Sequence, residues 1–382
     1  MKRIIRIIIT SVILNMTLSM LAYAGSPEFA RPAEEWAHLR DNTLEWYEIP
    51  DLVKEYNAAV LQNEIKFSSD ELSRKDAFRT SQYLTDMAGE YESLAADMEG
   101  TTGGAIQAAS LRLMADQLRS QANDNTGDSQ TVRYEYDRAE AQIVKNVKLL
   151  FISYQKDLLQ AAFNKSNTAY LEQAYNSAVN RKNHGMSTEL DVLTALESLQ
   201  NAKAKELTDA ALLNADYKKL ITLCGWKYDS QAVIGGCPGM DIDALASIDA
   251  AADREKALSN SITLKSDERK LKNAQDYYGY QAVQKAQAQL DMDRNTVISD
   301  FTSAYSDLAL AKASYDSACA AASLSASDLA KAARQLNLGL ISRMEYAAAE
   351  HALTKAENDR EMARLELLSK KAEYDALTEG LS

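Results

Sequence analysis

From Val132 to Asn183 the chain contains neither glycine nor proline, and the same is true from Tyr280 to Asn337. Proline is the strongest helix breaker. The chain has four, Pro27, Pro32, Pro50 and Pro238, so none lies between Pro50 and Pro238 and none follows Pro238. Within the first span, Val144, Val147, Leu150, Phe151, Tyr154 and Leu158 recur at three- and four-residue steps, the stripe of an amphipathic helix. At ~1.5 Å per residue a helix over this span is roughly 70–75 Å long. That exceeds the width of a compact domain, so it must pack lengthwise in a bundle or coiled coil.

Where these spans end, one pattern occurs twice. Asn183-His184-Gly185-Met186-Ser187-Thr188-Glu189-Leu190-Asp191 returns as Asn337-Leu338-Gly339-Leu340-Ile341-Ser342-Arg343-Met344-Glu345. The glycines are 154 residues apart (339 minus 185), and the same offset pairs Asp191 with Glu345, Ala195 with Ala349, Leu199 with Leu353 and Ala202 with Ala356. Each copy reads as a helix end, a glycine that closes it in the left-handed conformation, and a new helix start. Ser342-x-x-Glu345 is a capping box and Thr188-x-x-Asp191 a weaker one. Both copies are therefore tips of helical hairpins.

The predicted fold is all-α: two tandem repeats of long antiparallel hairpins, with little or no β structure. Residues 51–225 form the first repeat, 226–252 a Gly- and Pro-containing linker, and 253–382 the second repeat. Matching Asn260 to Asn57 gives an offset of 203, so the first repeat carries about 49 extra residues (203 minus 154) around an insert at 99–131. That insert reads as loop–helix–loop, its helix over Ala105–Gln121. An earlier helix is expected from Asp51 to about Met98, with a break near Ser68-Ser69. Residues 25–50 read as irregular, anchored by Trp36 and Trp46.

Composition removes several function classes. A net charge of −13 argues against non-specific nucleic-acid binding. The three histidines, His38, His184 and His351, have no metal-ligand spacing. No nucleophile elbow, phosphate loop or dinucleotide fingerprint is present, so the chain reads as a non-enzyme without metal or cofactor. His184 reads as an exposed turn residue. Cys224 and Cys237 flank the linker's Gly-rich start, and their spacing leaves a disulfide and two free thiols both open. Cys319 reads as a small core residue. Lys2, Arg3 and Arg6 precede an apolar run, and Ala22-Tyr23-Ala24 offers a cleavage site, so residues 1–24 read as an export signal. No later segment approaches the ~18 apolar residues of a spanning helix.

These residues resemble the TolC-type outer-membrane efflux proteins. The likeness rests on the export signal, the internal repeat and two in-register tips: Gly185-Met186 with Asp191 and Ala195, then Gly339-Leu340 with Glu345 and Ala349. It covers about residues 50–380. It implies a homotrimeric conduit in the cell envelope that passes solutes outward together with an adaptor and an inner-membrane pump. It also implies that Gly185, Met186, Gly339, Leu340 and Ile341 contact the adaptor and that Asp191 and Glu345 face the channel entrance. Helix capping is the competing role for the two acids. The pattern departs from the family in two places. No pair of 9–11-residue alternating segments suits a β-barrel, and Leu336 and Ile341 stand where the family's entrance-closing tyrosine and arginine belong. The alternative reading is an exported coiled-coil scaffold or adaptor without a pore.

Overall fold

A computed structural model describes residues 32–69, 71–99, 104–123 and 126–381. The export signal at 1–24, residues 25–31 and parts of the loops at 100–104 and 123–128 lie outside the described residues. The described chain has eleven α-helices: α1 (Ala33–Leu39), α2 (Ile49–Tyr56), α3 (Ala58–Ser69), α4 (Glu71–Glu99), α5 (Gly104–Asn123), α6 (Ser129–Asn183), α7 (Glu189–Leu223), α8 (Ala250–Asn260), α9 (Ile262–Tyr277), α10 (Tyr280–Asn337) and α11 (Arg343–Thr378). The only strands described are the two-residue β1 (Thr43–Leu44) and β2 (Val233–Ile234), paired in parallel. The protein is all-α, as the periodicity predicts.

Four long helices set the shape. They lie side by side in the order α7–α6–α11–α10, with α6 and α11 in the middle and α7 and α10 at the edges. At ~1.5 Å per residue, the 55 residues of α6 span roughly 80 Å. Aromatic stacking helps to lock the central pair: His351 of α11 lies parallel to Tyr170 of α6, with ring centroids 4.4 Å apart, and stacks against Phe163 at 5.7 Å. Lys156 of α6 also pairs with Glu366 of α11.

The main core gathers at the end away from the tips. Leu52 and Val53 of α2, Val147 and Phe151 of α6 and Leu220 of α7 are buried together. Ile152, Leu365 and Leu368 join α6 to α11, with Met240 of the linker packed against them. Phe301, Leu308, Leu367 and Tyr374 fill the second repeat. Toward the tips the seam thins to small or isolated residues such as Ala202, Ala322 and Ala332.

The segment before α2 is more regular than the irregular reading of residues 25–50. It contains α1, β1 and a 3₁₀ turn at Trp46–Glu48. Burial organises it: Trp36 and Leu39 sit in the first-repeat core, and Trp46 packs edge-on to Phe151 at 5.8 Å. β1 clasps the linker, where the amides of Val233 and Gly235 donate to Asn42 O and Leu44 O at 2.8 and 2.9 Å. Pro50 sits in the first turn of α2, where a missing amide costs no helix hydrogen bond. Cys224 and Cys237 are free thiols. Burial pushes Cys224 up to about 12 and Cys237 up to about 11, so both stay protonated at neutral pH.

The expected helix from Asp51 to Met98 is divided at Asn57, a break its sequence spacing hides. Asn57 takes an extended backbone (φ −70°, ψ 122°). Its Oδ1 accepts from the amide of Ala59 at 3.0 Å, and its Nδ2 donates to Leu223 O at 2.8 Å. Asn57 therefore opens α3 and also satisfies a carbonyl at the end of α7. In the second repeat, Asn260 Nδ2 donates to Thr378 O, at the end of α11, at 2.9 Å. The match at offset 203 thus pairs two asparagines that each bond to the end of a return helix, while the break and the cap that Asn57 supplies fall to Ser261 in the second repeat. Each return helix ends in the same glycine turn: Gly225 (φ 97°) and Gly380 (φ 108°).

A Cβ on Gly225 would overlap the Tyr56 side chain, and one on Gly380 would overlap the Asn260 carbonyl. At Gly185 and Gly339 an added Cβ meets nothing within 4 Å. Gly225→Ala and Gly380→Ala are expected to lower thermal stability more than Gly185→Ala and Gly339→Ala, whose cost is the left-handed strain alone, about 1–2 kcal/mol. Thermal unfolding of the four variants checks this ranking.

Candidate partner-binding tips

Both hairpins close through one hydrogen-bond scheme. At the first tip the Met186 amide donates to Arg181 O at 2.8 Å and the Gly185 amide to Lys182 O at 2.9 Å. At the second, Leu340 donates to Gln335 O at 2.9 Å and Gly339 to Leu336 O at 3.0 Å. Each is a Schellman turn, and Gly185 (φ 69°) and Gly339 (φ 68°) take its left-handed position.

The helix starts that follow also match. The Thr188 amide donates to Asp191 Oδ2 at 2.8 Å, and the Asp191 amide donates back to Thr188 Oγ1 at 3.2 Å. The Ser342 amide donates to Glu345 Oε2 at 2.7 Å, and the Glu345 amide donates back to Ser342 Oγ at 3.2 Å. Ser187 Oγ adds a third bond to Asp191 at 2.9 Å. The box that reads as the weaker one in sequence is therefore fully formed, with Ser187 as an additional donor to its acid. Backbone hydrogen bonding holds the Asp191 and Glu345 carboxyls below their ordinary ranges. Both acids act as helix caps.

The closed turns leave large apolar side chains in solvent. Met186 is 61% exposed, Leu190 71%, Leu338 72% and Leu340 69%. Ile341 is half-buried. Between the two tips lies an open groove of about 530 Å³, lined by Asn176, Asn180, Arg181, His184 and Met186 of the first hairpin and by Arg343 and Met344 of the second. The fold brings together Met186 of one tip with Arg343 and Met344 just past the other. Leu340 and the two glycines are not part of the groove lining. Sequence reading did not single out Arg181, Arg343 or Met344. The available signal was that each basic residue sits within four residues of a tip glycine.

Among the described residues there is no cluster of three or more His, Cys, Asp or Glu side chains able to hold a metal ion. No described helix is long and apolar enough to cross a membrane.

By sequence, no family model and no curated protein matches the chain. By structure, a membrane protein from Pseudomonas aeruginosa superposes with a TM-score of 0.58, at 11% identity over 88% of this chain and 90% of that one. The outer-membrane channel OprN gives 0.57, at 13% identity over 90% and 92%. CusC, whose structures concern folding and transmembrane channel formation, gives 0.55, at 12% identity over 84% and 96%. The chain has the TolC-type fold. At such identities the likeness is one of architecture alone.

The capping acids give a signed pH dependence. Their folded-state values lie below the ordinary 3.8 of Asp and 4.5 of Glu, so their contribution is complete above those values and is lost as pH falls through the depressed ones. Asp191→Asn with Glu345→Gln is expected to lower the thermal midpoint at pH 7 by a few degrees at most, roughly the effect of weakened helix caps. The gap to the unmodified protein should narrow at pH 3, as read by circular dichroism melts at the two pH values.

Proposed function

We propose that this chain is an exported conduit component whose copies close into a tube, through which solutes leave the cell envelope with the help of an adaptor and an inner-membrane transporter. The observation that carries this reading is the open-edged row α7–α6–α11–α10. Beyond the stretch of α10 that α8 and α9 cover, no described helix lies against its two edges, yet both carry large exposed apolar residues: Leu193, Leu207 and Leu212 on α7, and Met292, Leu310 and Leu324 on α10. Apolar side chains along an uncovered helix edge suit burial against a second chain. Edge α7 of one copy against edge α10 of the next is a head-to-tail contact, which closes into a ring when the rotation permits. Three copies is the number implied by the resemblance.

In this reading Gly185, Met186, Gly339, Leu340 and Ile341 form the adaptor-docking surface. Asp191 and Glu345 border the entrance while serving as caps. The repeats lie at 51–225 and 253–382, and the export signal directs the chain to the envelope. A second reading, an exported coiled-coil scaffold without a pore, is favoured by one feature: at the end opposite the tips α4 and α5 form a helical hairpin.

Two measurements test the proposal. The mature chain should be trimeric by light scattering, and Leu193→Glu with Leu310→Glu should break it into monomers that keep their helical content. A monomer at micromolar concentration for the unmodified chain argues for the scaffold. Separately, Met186→Glu with Leu340→Glu should leave the trimer and its melting temperature intact but abolish solute export; unchanged export would remove the tips from the docking role.

A further inference from the structure

The helix of the first-repeat insert, α5, folds back on α4 to form an antiparallel hairpin, whose internal contact uses small residues. Ser81, Ala88 and Ala95 on α4, and Ala108, Ala115 and Ala122 on α5, are buried at seven-residue intervals. A sustained seven-residue repeat keeps one seam facing the partner helix. Larger apolar residues lie beside this seam. Leu84, Met87, Tyr91 and Leu94 follow one another on α4 at steps of three and four, and Met114 and Leu118 do so on α5. Leu94 is 44% exposed and Met114 48%.

These residues share one flank. On each helix the residue four after a seam alanine (Glu92, Arg119) falls on one side, and the residue three after (Tyr91, Leu118) falls on the other. Arg119 Nη2 donates to Glu92 Oε2 at 2.5 Å, so the charged flanks coincide. The apolar flanks must then coincide as well. Among the described residues the hairpin packs chiefly on itself, touches α3 and α6, and meets the α9–α10 junction where Tyr278 bonds to Ser81 and Gly279 lies beside Arg119.

We propose that the α4–α5 hairpins of three copies pack apolar flank to apolar flank, each α4 against the neighbour's α5, forming a six-helix collar at the end opposite the tips. This rests on the ring assembly proposed above, which gathers three hairpins at one end. The occupant is a second copy for two reasons. Steps of three and four specify a helical partner, because they keep a seam in register. Charge then orders the contact: the outer edge of α4 carries exposed Asp86, Glu90 and Asp97, whereas the outer edge of α5 carries exposed, uncharged Ser110 and Gln117. An α4-to-α5 contact avoids acid facing acid, and the same acids disfavour an anionic lipid surface.

The test uses the full mature chain. Asp97→Cys with Gln117→Cys changes exposed residues at one level on opposite outer edges of the hairpin. Under oxidation it should give a covalent ladder up to trimer, and neither single variant should do so. Leu94→Glu with Met114→Glu should raise the concentration at which the ring dissociates at least tenfold, with helical content unchanged. A ring that forms without the ladder, or that dissociates at the same concentration in the Glu variant, overturns the collar and leaves the ring standing. A monomeric unmodified chain sinks the ring and the collar together. Flotation of the unmodified chain with phosphatidylcholine vesicles, lost in the Glu variant, assigns the flank to lipid and overturns the collar.

Discussion

The rest of the molecule depends on one geometric constraint: helices of 55 and 58 residues lying side by side in a single row. A row has two faces and two edges, and only the middle helices have neighbours on both sides. Hydrophobic burial scales with the area removed from water, so the edges α7 and α10 remain under-buried however well α6 and α11 pack. The chain compensates at one end only, where α1, α2, the linker and α8 cover the row and build a conventional core. Toward the tips the seam is alanine-rich and thin. Exposed leucines on both edges follow from this arrangement, and so does the case for assembly.

The internal repeat is a repeat of turn physics more than of sequence. Among the described residues four glycines have positive φ, Gly185, Gly225, Gly339 and Gly380, and they close the four long or return helices in equivalent places. The demands differ between the ends. At the tips glycine is needed for backbone conformation alone. At the joints it must also admit Tyr56 or the Asn260 carbonyl. The tips are thus free to present side chains outward, while at the joints Asn57 and Asn260 bond to the last carbonyls of the return helices.

The two repeats diverge beyond those joints. In the first, α3 leads into the α4–α5 hairpin before α6 begins. In the second, Tyr278 and Gly279 alone separate α9 from α10. The two are nevertheless coupled: Arg269 Nε donates to Asp128 Oδ2 at 2.7 Å, and Asn273 Nδ2 donates to Thr126 O at 2.9 Å. Asp128 also caps α6 through the amides of Gln130 and Thr131. One carboxylate therefore starts the longest helix of the first repeat and holds the second repeat against it.

Much of this was legible in the sequence because it is local. Absence of glycine and proline set the helix lengths, since each helical hydrogen bond joins residues four apart. The repeated Gly-x₂–Ser/Thr-x₂-acid pattern determined both turns and both caps within about ten residues. The offset of 203 located the Asn57–Asn260 equivalence. What the sequence did not reveal is non-local. The break at Asn57 depends on a carbonyl 166 residues away. The order of the helices, and hence which leucines lie on open edges, depends on which faces of α6 meet α7 and α11. The groove pairing Arg181 with Arg343 exists because two tips far apart in the chain end at the same level. Periodicity states that a helix has an apolar face; only packing decides which neighbour covers it, and which face is left for a partner.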